Sequence, residues 1–367
     1  MPGPKTGTGL ASLASLAAMG AFAAPAALLA VLLLSPACVS KWALRTAQPE
    51  IALQWPYQPN RAKVTYVESL TGFGRHRGAA SALRAVVYGK EKQAPDSFVL
   101  PVAVATGGDG RIAVADMGRR CVHLFLPAQR AYLRLDGSKK EKIRSPVAVV
   151  FDDALRLYLS DSAGKVFVFG PDGEFLRVMG RAGEEPLQRP TGLAYNPARK
   201  LLYVVDTLAH RVHAFGPQGD LAFSFGRRGE KEGEFNYPTH IFRSSSGELY
   251  VTDSLNFRIE ILDETGKPLG SFGRHGDGSG DLAMPKGVAV DRDGAVYVVD
   301  SLFDNVQLFD RRGEFLLTVG RRGVDFGEFW LPSGVFINER DELYVCDTYN
   351  RRIQIFRITE QYAQATP

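Results

Sequence analysis

From about residue 62 onward, apolar residues come in short runs of four to six, broken by Gly, Asp, Asn or Pro. The stretch Gly287–Val319 shows the pattern. Gly287–Val290 and Ala295–Val299 flank the turn Asp291-Arg-Asp-Gly294. Asn305–Phe309 and Glu314–Val319 then flank the turn Asp310-Arg-Arg-Gly313. Runs of this length, rich in Val, Tyr, Phe and Ile and punctuated by Asp and Gly, are strands in hairpins. Nothing in the unit holds a helical period long enough to compete. The pattern therefore predicts a four-stranded antiparallel sheet, with strands a to d in chain order.

The unit recurs. An aspartate closes the second run at Asp116, Asp161, Asp206, Asp253, Asp300 and Asp347, spaced 45 or 47 residues apart. A proline precedes each by 15 or 16 residues (Pro101, Pro146, Pro190, Pro238, Pro285, Pro332), and an apolar β-branched residue resumes five or six residues beyond. Six such sheets placed radially make an all-β, six-bladed β-propeller, which leaves only short, protected edges. The pattern Pro-x-Gly-Val-Ala-Val followed by Val-Tyr-Val-x-Asp-[ST]-x-Asn-x-Arg-Ile resembles the NHL-repeat propellers. Leu343-Tyr-Val-Cys-Asp-Thr-Tyr-Asn-Arg-Arg-Ile353 matches nearly every position, and Asp161–Val166 departs most, being one residue short and lacking the arginine. The resemblance covers roughly residues 61–360. It implies a fold and not an activity, because this fold hosts unrelated functions.

A carboxylate repeated in every blade is expected to be scaffolding. At the b–c corner it can accept backbone N–H bonds, and Arg211, Arg258 and Arg352, five residues on, are placed to pair with it. The sixth copy has no strand d after Ile358. Residues 62–73 end like the other d strands and are expected to fill that place, closing the ring and covering an edge. Residues 79–88 are expected to form a short helix on one face.

The beginning of the chain reads differently. Residues 11–34 are a continuous small and apolar run after Lys5, ending in Leu34-Ser-Pro-Ala-Cys38. This is a secretory pattern, set apart from the fold. Cys38 after a small residue resembles the lipobox of bacterial lipoproteins, which implies lipidation at Cys38. Ordinary cleavage after Ser-Pro-Ala and retention of the run as an uncleaved anchor are the other two readings. All three place the propeller outside the cytoplasm. The expected organisation is thus a leader or anchor over 1–37, a tether over 38–60, the propeller over 61–360 and a tail over 361–367. Cys121 and Cys346 fall in neighbouring blades, where either a disulfide or two buried thiols would fit.

Charge narrows the partners. The chain carries +4, and losing Lys5 with the leader leaves +3. That is not the density of a dedicated nucleic-acid binder, so no nucleic acid is expected. Because strand direction alternates, the d–a connections and b–c corners share one face and the a–b and c–d turns share the other. The first face collects Arg227, Arg228, Arg274, Arg321 and Arg322, with Trp330 beside them. An aromatic among arginines is what binding hot spots favour. Thr239, His240 and Lys286, just after the repeat prolines, are expected near the channel mouth on that face. The expected partner is an envelope protein or polymer docking there, with the membrane held through the N-terminus.

Catalysis has less support in the residues. Peptide-amidating lyase propellers resemble this fold, and that likeness would imply zinc-binding histidines after several repeat prolines. Here His240 is the one candidate ligand at those positions, against the three or four that zinc needs. No cofactor is expected. The alternative is a metal-dependent lyase or hydrolase with its site on the propeller axis.

Overall fold

The computed structural model describes residues 41–75 and 96–359, within the unit Trp42–Pro367. The expected helix over 79–88, Cys38 and the expected tail lie outside the described residues. The fold is the six-bladed propeller. Five blades are four-stranded antiparallel sheets, each strand paired with the next in sequence. Blade five, for example, runs Pro285–Val290, Val296–Asp300, Asn305–Phe309 and Phe315–Val319. The inner strands are Pro101–Thr106, Pro146–Phe151, Pro190–Asn196, Pro238–Arg243, Pro285–Val290 and Val335–Ile337. They touch one another in order around the ring, the sixth returning to the first.

Alternating strands bury both faces of each blade, so the core lies between blades. Tyr203, Val205, Val212, Ile241 and Val251 fill the gap between blades three and four. Val288, Val298, Tyr250 and Ile259 fill the next. Turn glycines let the blades approach. Gly313 has φ 82°, and a Cβ there would lie 2.2 Å from the Phe272 side chain.

Blade six is completed from the other end of the chain. Three N-terminal strands, β1 (Trp42–Ala47), β2 (Gln54–Trp55) and β3 (Val64–Arg75), join its sheet. β3 pairs antiparallel with Arg352–Ile358, putting Leu70 opposite Ile353 and Val64 opposite Ile358. Residues 41–60, within the segment expected as a tether, therefore contribute two strands to this sheet. β1 adds a fifth strand outside β3, its Trp42 N–H donates to the Arg130 carbonyl of blade one at 2.8 Å, and the Trp42 ring lies 4.6 Å from Tyr132. Trp55 is buried against Phe356. Trp55 anchors this segment to blade six and Trp42 anchors it to blade one.

The strand-b aspartates are buried and act as clamps. Asp116 accepts from the Val99 and Leu100 N–H groups ahead of Pro101, and from Arg119 N–H. Asp300 binds the N–H groups of Ala283 and Met284 ahead of Pro285. Each clamp ties the entry of strand a to the b–c corner of its own blade. Arg258 and Arg352 pair with Asp253 and Asp347 at 3.0 and 2.7 Å. Arg211 does not do this for Asp206: its side chain is exposed, and His213 Nε2 stands 3.9 Å from that carboxylate. In blades three to six the residue after the aspartate staples its blade to the next. Thr207 donates to Pro238 O at 2.7 Å and Ser254 to Pro285 O at 3.2 Å. Thr348 closes the ring onto Pro101 O at 2.9 Å. Cys121 and Cys346 are free, buried thiols. Among the described residues, no helix is long and apolar enough to cross a membrane.

Candidate functional site

Three of the d–a connections are built alike. Arg227, Arg274 and Arg321 each pair with an acid seven residues on, Glu234, Asp281 and Glu328, at 2.8, 2.6 and 2.9 Å. Each acid also accepts a backbone N–H from its own loop: Lys231, Gly278 and Asp325. The guanidinium pulls all three carboxyls below their ordinary values, with burial opposing it. At Glu328 burial is the largest influence, yet the balance is still downward. A side chain of the following blade grips the same loop: Glu260, Gln307 and Gln354 accept from Gly233, Gly280 and Gly327 N–H. The arginines are thus held by loop scaffolding, yet stay more than three-quarters exposed. Arg322 is equally exposed, 3.9 Å from Asp304. Arg228 lies beside Phe235 in its loop.

Each loop ends in a buried anchor followed by a free position. Leu187, Phe235, Leu282 and Phe329 are buried between blades. Of the residues that follow them, Gln188 is exposed, Asn236 and Ala283 are half-buried, and Trp330 is 41% exposed. The Trp330 ring lies 5.7 Å from that of Tyr349, at the b–c corner of blade six.

Tyr349 is one of a series that the sequence reading did not pick out. The residues two past the strand-b aspartates of blades three to six are Leu208, Leu255, Leu302 and Tyr349, and they are 43, 51, 61 and 50% exposed. With Trp330 they form an apolar arc over four consecutive blades, on the face that carries the arginines. The signal was legible as Asp-[ST]-Leu in three copies, at a corner tip where a polar residue is ordinary turn chemistry.

The three residues expected at the channel mouth do not share one environment. Thr239 sits against Ser254, Oγ to Oγ 2.6 Å. Lys286 is half-buried. Burial, with the Arg189 charge adding to it, pulls its ammonium below the usual lysine value, while Asp300 works the other way. His240 belongs elsewhere: it lines an axial cavity of about 480 Å³ whose other walls include Phe151, Phe242 and Phe336, with the a–b turn residues Gly107, Asp153 and Glu339 at its rim. That cavity reaches the face opposite the arginines. Burial pushes the His240 imidazole down to about 4, so it is neutral at physiological pH. The described residues contain no group of three His, Cys, Asp or Glu side chains arranged to hold a metal.

Fold and site together define a six-bladed β-propeller. The NHL repeat family model matches residues 329–356, the sixth copy. The chain is thus a six-bladed β-propeller whose sixth blade carries an NHL repeat. No curated protein matches it. Among solved structures it is similar to an auxiliary nutrient binding protein from Bacteroides thetaiotaomicron, with 13% identity, 71% of this chain and 69% of that one covered, and a TM-score of 0.55. A second auxiliary nutrient binding protein, from Bacteroides ovatus, matches at 15% identity over 72 and 70%, TM-score 0.54. The virginiamycin B lyase of Staphylococcus aureus matches at 12% identity over 71 and 96%, TM-score 0.53. At these identities the likeness is one of fold.

Proposed function

We propose that the protein is an extracytoplasmic, membrane-tethered binding module whose working face carries the d–a connections and b–c corners. Its partner is an envelope protein or polymer with a surface apolar at the centre and acidic at the edge. The observation that carries this reading is the exposed arc of Leu208, Leu255, Leu302, Tyr349 and Trp330, bordered by Arg227, Arg274, Arg321 and Arg322. Exposed apolar side chains bordered by charge on one face are what interaction sites present. Tyr, Trp and Arg are the residues that dominate binding energy. The apolar run before Cys38 supports the tether, and two fold neighbours are named as nutrient-binding proteins.

The test is a cross-linking pull-down from envelope extract. It compares wild type, a Trp330→Ala/Arg322→Glu double variant and a Glu342→Lys control on the other face. The double variant should lose the captured partner and the control should keep it. The opposite pattern would transfer the working face to the a–b turns. Metal analysis of the purified propeller, with a stoichiometric metal as the contrary result, separates this reading from a metal-dependent lyase or hydrolase on the axis.

A further inference from the structure

The axial cavity is chemically unlike the arginine-bearing face. It measures about 480 Å³, within the range of small-molecule sites. Phe151, Phe242 and Phe336 contribute half-buried rings to its wall, each from an inner strand of a different blade.

His240 is the residue that blade packing does not account for. It occupies the second position after the repeat proline. The other five blades have Ala103, Ala148, Gly192, Gly287 and Gly334 there. At this level the inner strands nearly touch. A Cβ on Gly192 would lie 2.7 Å from the His240 backbone, and one on Gly334 would lie 2.4 Å from Val102 O. Small residues are what that packing selects, yet blade four places an imidazole at the cavity. The buried histidines have partners: His123 with Tyr132, His210 with Phe235 O and His213 with Ser224. His240 is half-buried, and no described residue hydrogen-bonds its ring, which leaves the imidazole open to the cavity it lines.

An apolar aromatic wall with one neutral imidazole suits a ligand of matching kind. The charged groups near the mouth are mostly engaged with one another. Asp153 pairs with Lys200 and accepts from Tyr195 OH, and Arg243 pairs with Glu264 at 2.9 Å. We propose that this cavity binds an uncharged aromatic small molecule carrying one hydrogen-bonding group, with Phe151, Phe242 and Phe336 packing its rings and His240 hydrogen-bonding its polar group.

The test uses 2-naphthol and naphthalene as probes, followed by saturation-transfer NMR on the full propeller. Wild type should bind both, preferring 2-naphthol by about five- to tenfold, the worth of one neutral hydrogen bond. His240→Phe should keep naphthalene and lose the preference, while His240→Asn should retain most of it. Phe336→Ser should weaken both probes, and Trp330→Ala neither, which keeps this site separate from the partner-docking face. Absence of saturable binding in wild type, an unchanged preference in His240→Phe, or loss of binding on Trp330→Ala would overturn the proposal.

Discussion

Removing the aspartate clamp should cost different amounts in different blades. Asp347 is fully buried. It accepts from Trp330 N–H at 2.8 Å, Arg352 Nε at 2.7 Å, Asn350 Nδ2 at 2.9 Å and Gln354 Nε2 at 2.8 Å. In Asp347→Ala the Arg352 guanidinium, 8% exposed, keeps only its bonds to Asp325 O and Glu328 O. Breaking a buried ion pair by removing one partner costs about 3–5 kcal/mol. Asp161 has no cationic partner among its bonds; it serves the N–H groups of Arg144, Ser145 and Ala163. Arg144 is exposed and Ser145 half-exposed, so water replaces part of what is lost. Asp161→Ala should therefore cost about 1–3 kcal/mol. Urea unfolding of both variants against wild type measures the difference. Equal losses, or a loss below about 1 kcal/mol for Asp347→Ala, would refute the clamp as the reason for the repeat.

Three further outcomes follow from the same structure. A chain starting at residue 76 loses β1, β2 and β3 and leaves the sixth blade an open edge. It should aggregate or melt far below the full propeller, and a melt like that of a chain starting at residue 41 would contradict this. Burial pushes the Cys121 thiol up to about 12 and raises that of Cys346 further. Both should resist a thiol reagent at pH 8 in the folded protein and react only on unfolding; a missing free thiol would reveal a disulfide. His240 carries a folded value of about 4 against 6.5 unfolded. As pH falls below 6.5 the unfolded chain takes up this proton first, so stability should drop between pH 6.5 and 4, by up to about 3 kcal/mol. His240→Phe should lack that part of the drop, and identical pH profiles would contradict the assignment.

The blades were legible because each strand, turn and aspartate is a local pattern repeated six times. The continuous apolar run Val296–Val299 fits a strand buried on both faces, and Asp300 marks where it ends. Residues 41–60 were not legible, because Trp42 and Trp55 sit in irregular sequence and pack on Tyr132 and Phe356, far along the chain. Arg211 misled because its spacing from Asp206 equals that of Arg352 from Asp347, while His213 two residues on takes the carboxylate's side. Thr239 and His240 are adjacent in sequence, but one hydrogen-bonds at the corner and the other borders the axial cavity. The arginines were legible as members of the d–a connections, but their ion pairs with Glu234, Asp281 and Glu328 depend on the loop fold rather than on sequence spacing alone. The leucine arc escaped notice because a single exposed leucine is unremarkable and only the ring geometry brings Leu208, Leu255 and Leu302 onto one surface.

The central claim is that the face bearing this arc meets the partner. It is tested most directly by photo-cross-linking in intact cells, with benzoylphenylalanine replacing Leu255 or Leu302 on the arc, and Ser245 or Asp293 at the a–b turns. Adducts of one defined mass from the first pair and none from the second are the predicted result. Adducts from Ser245 or Asp293, with none from Leu255 or Leu302, would contradict it.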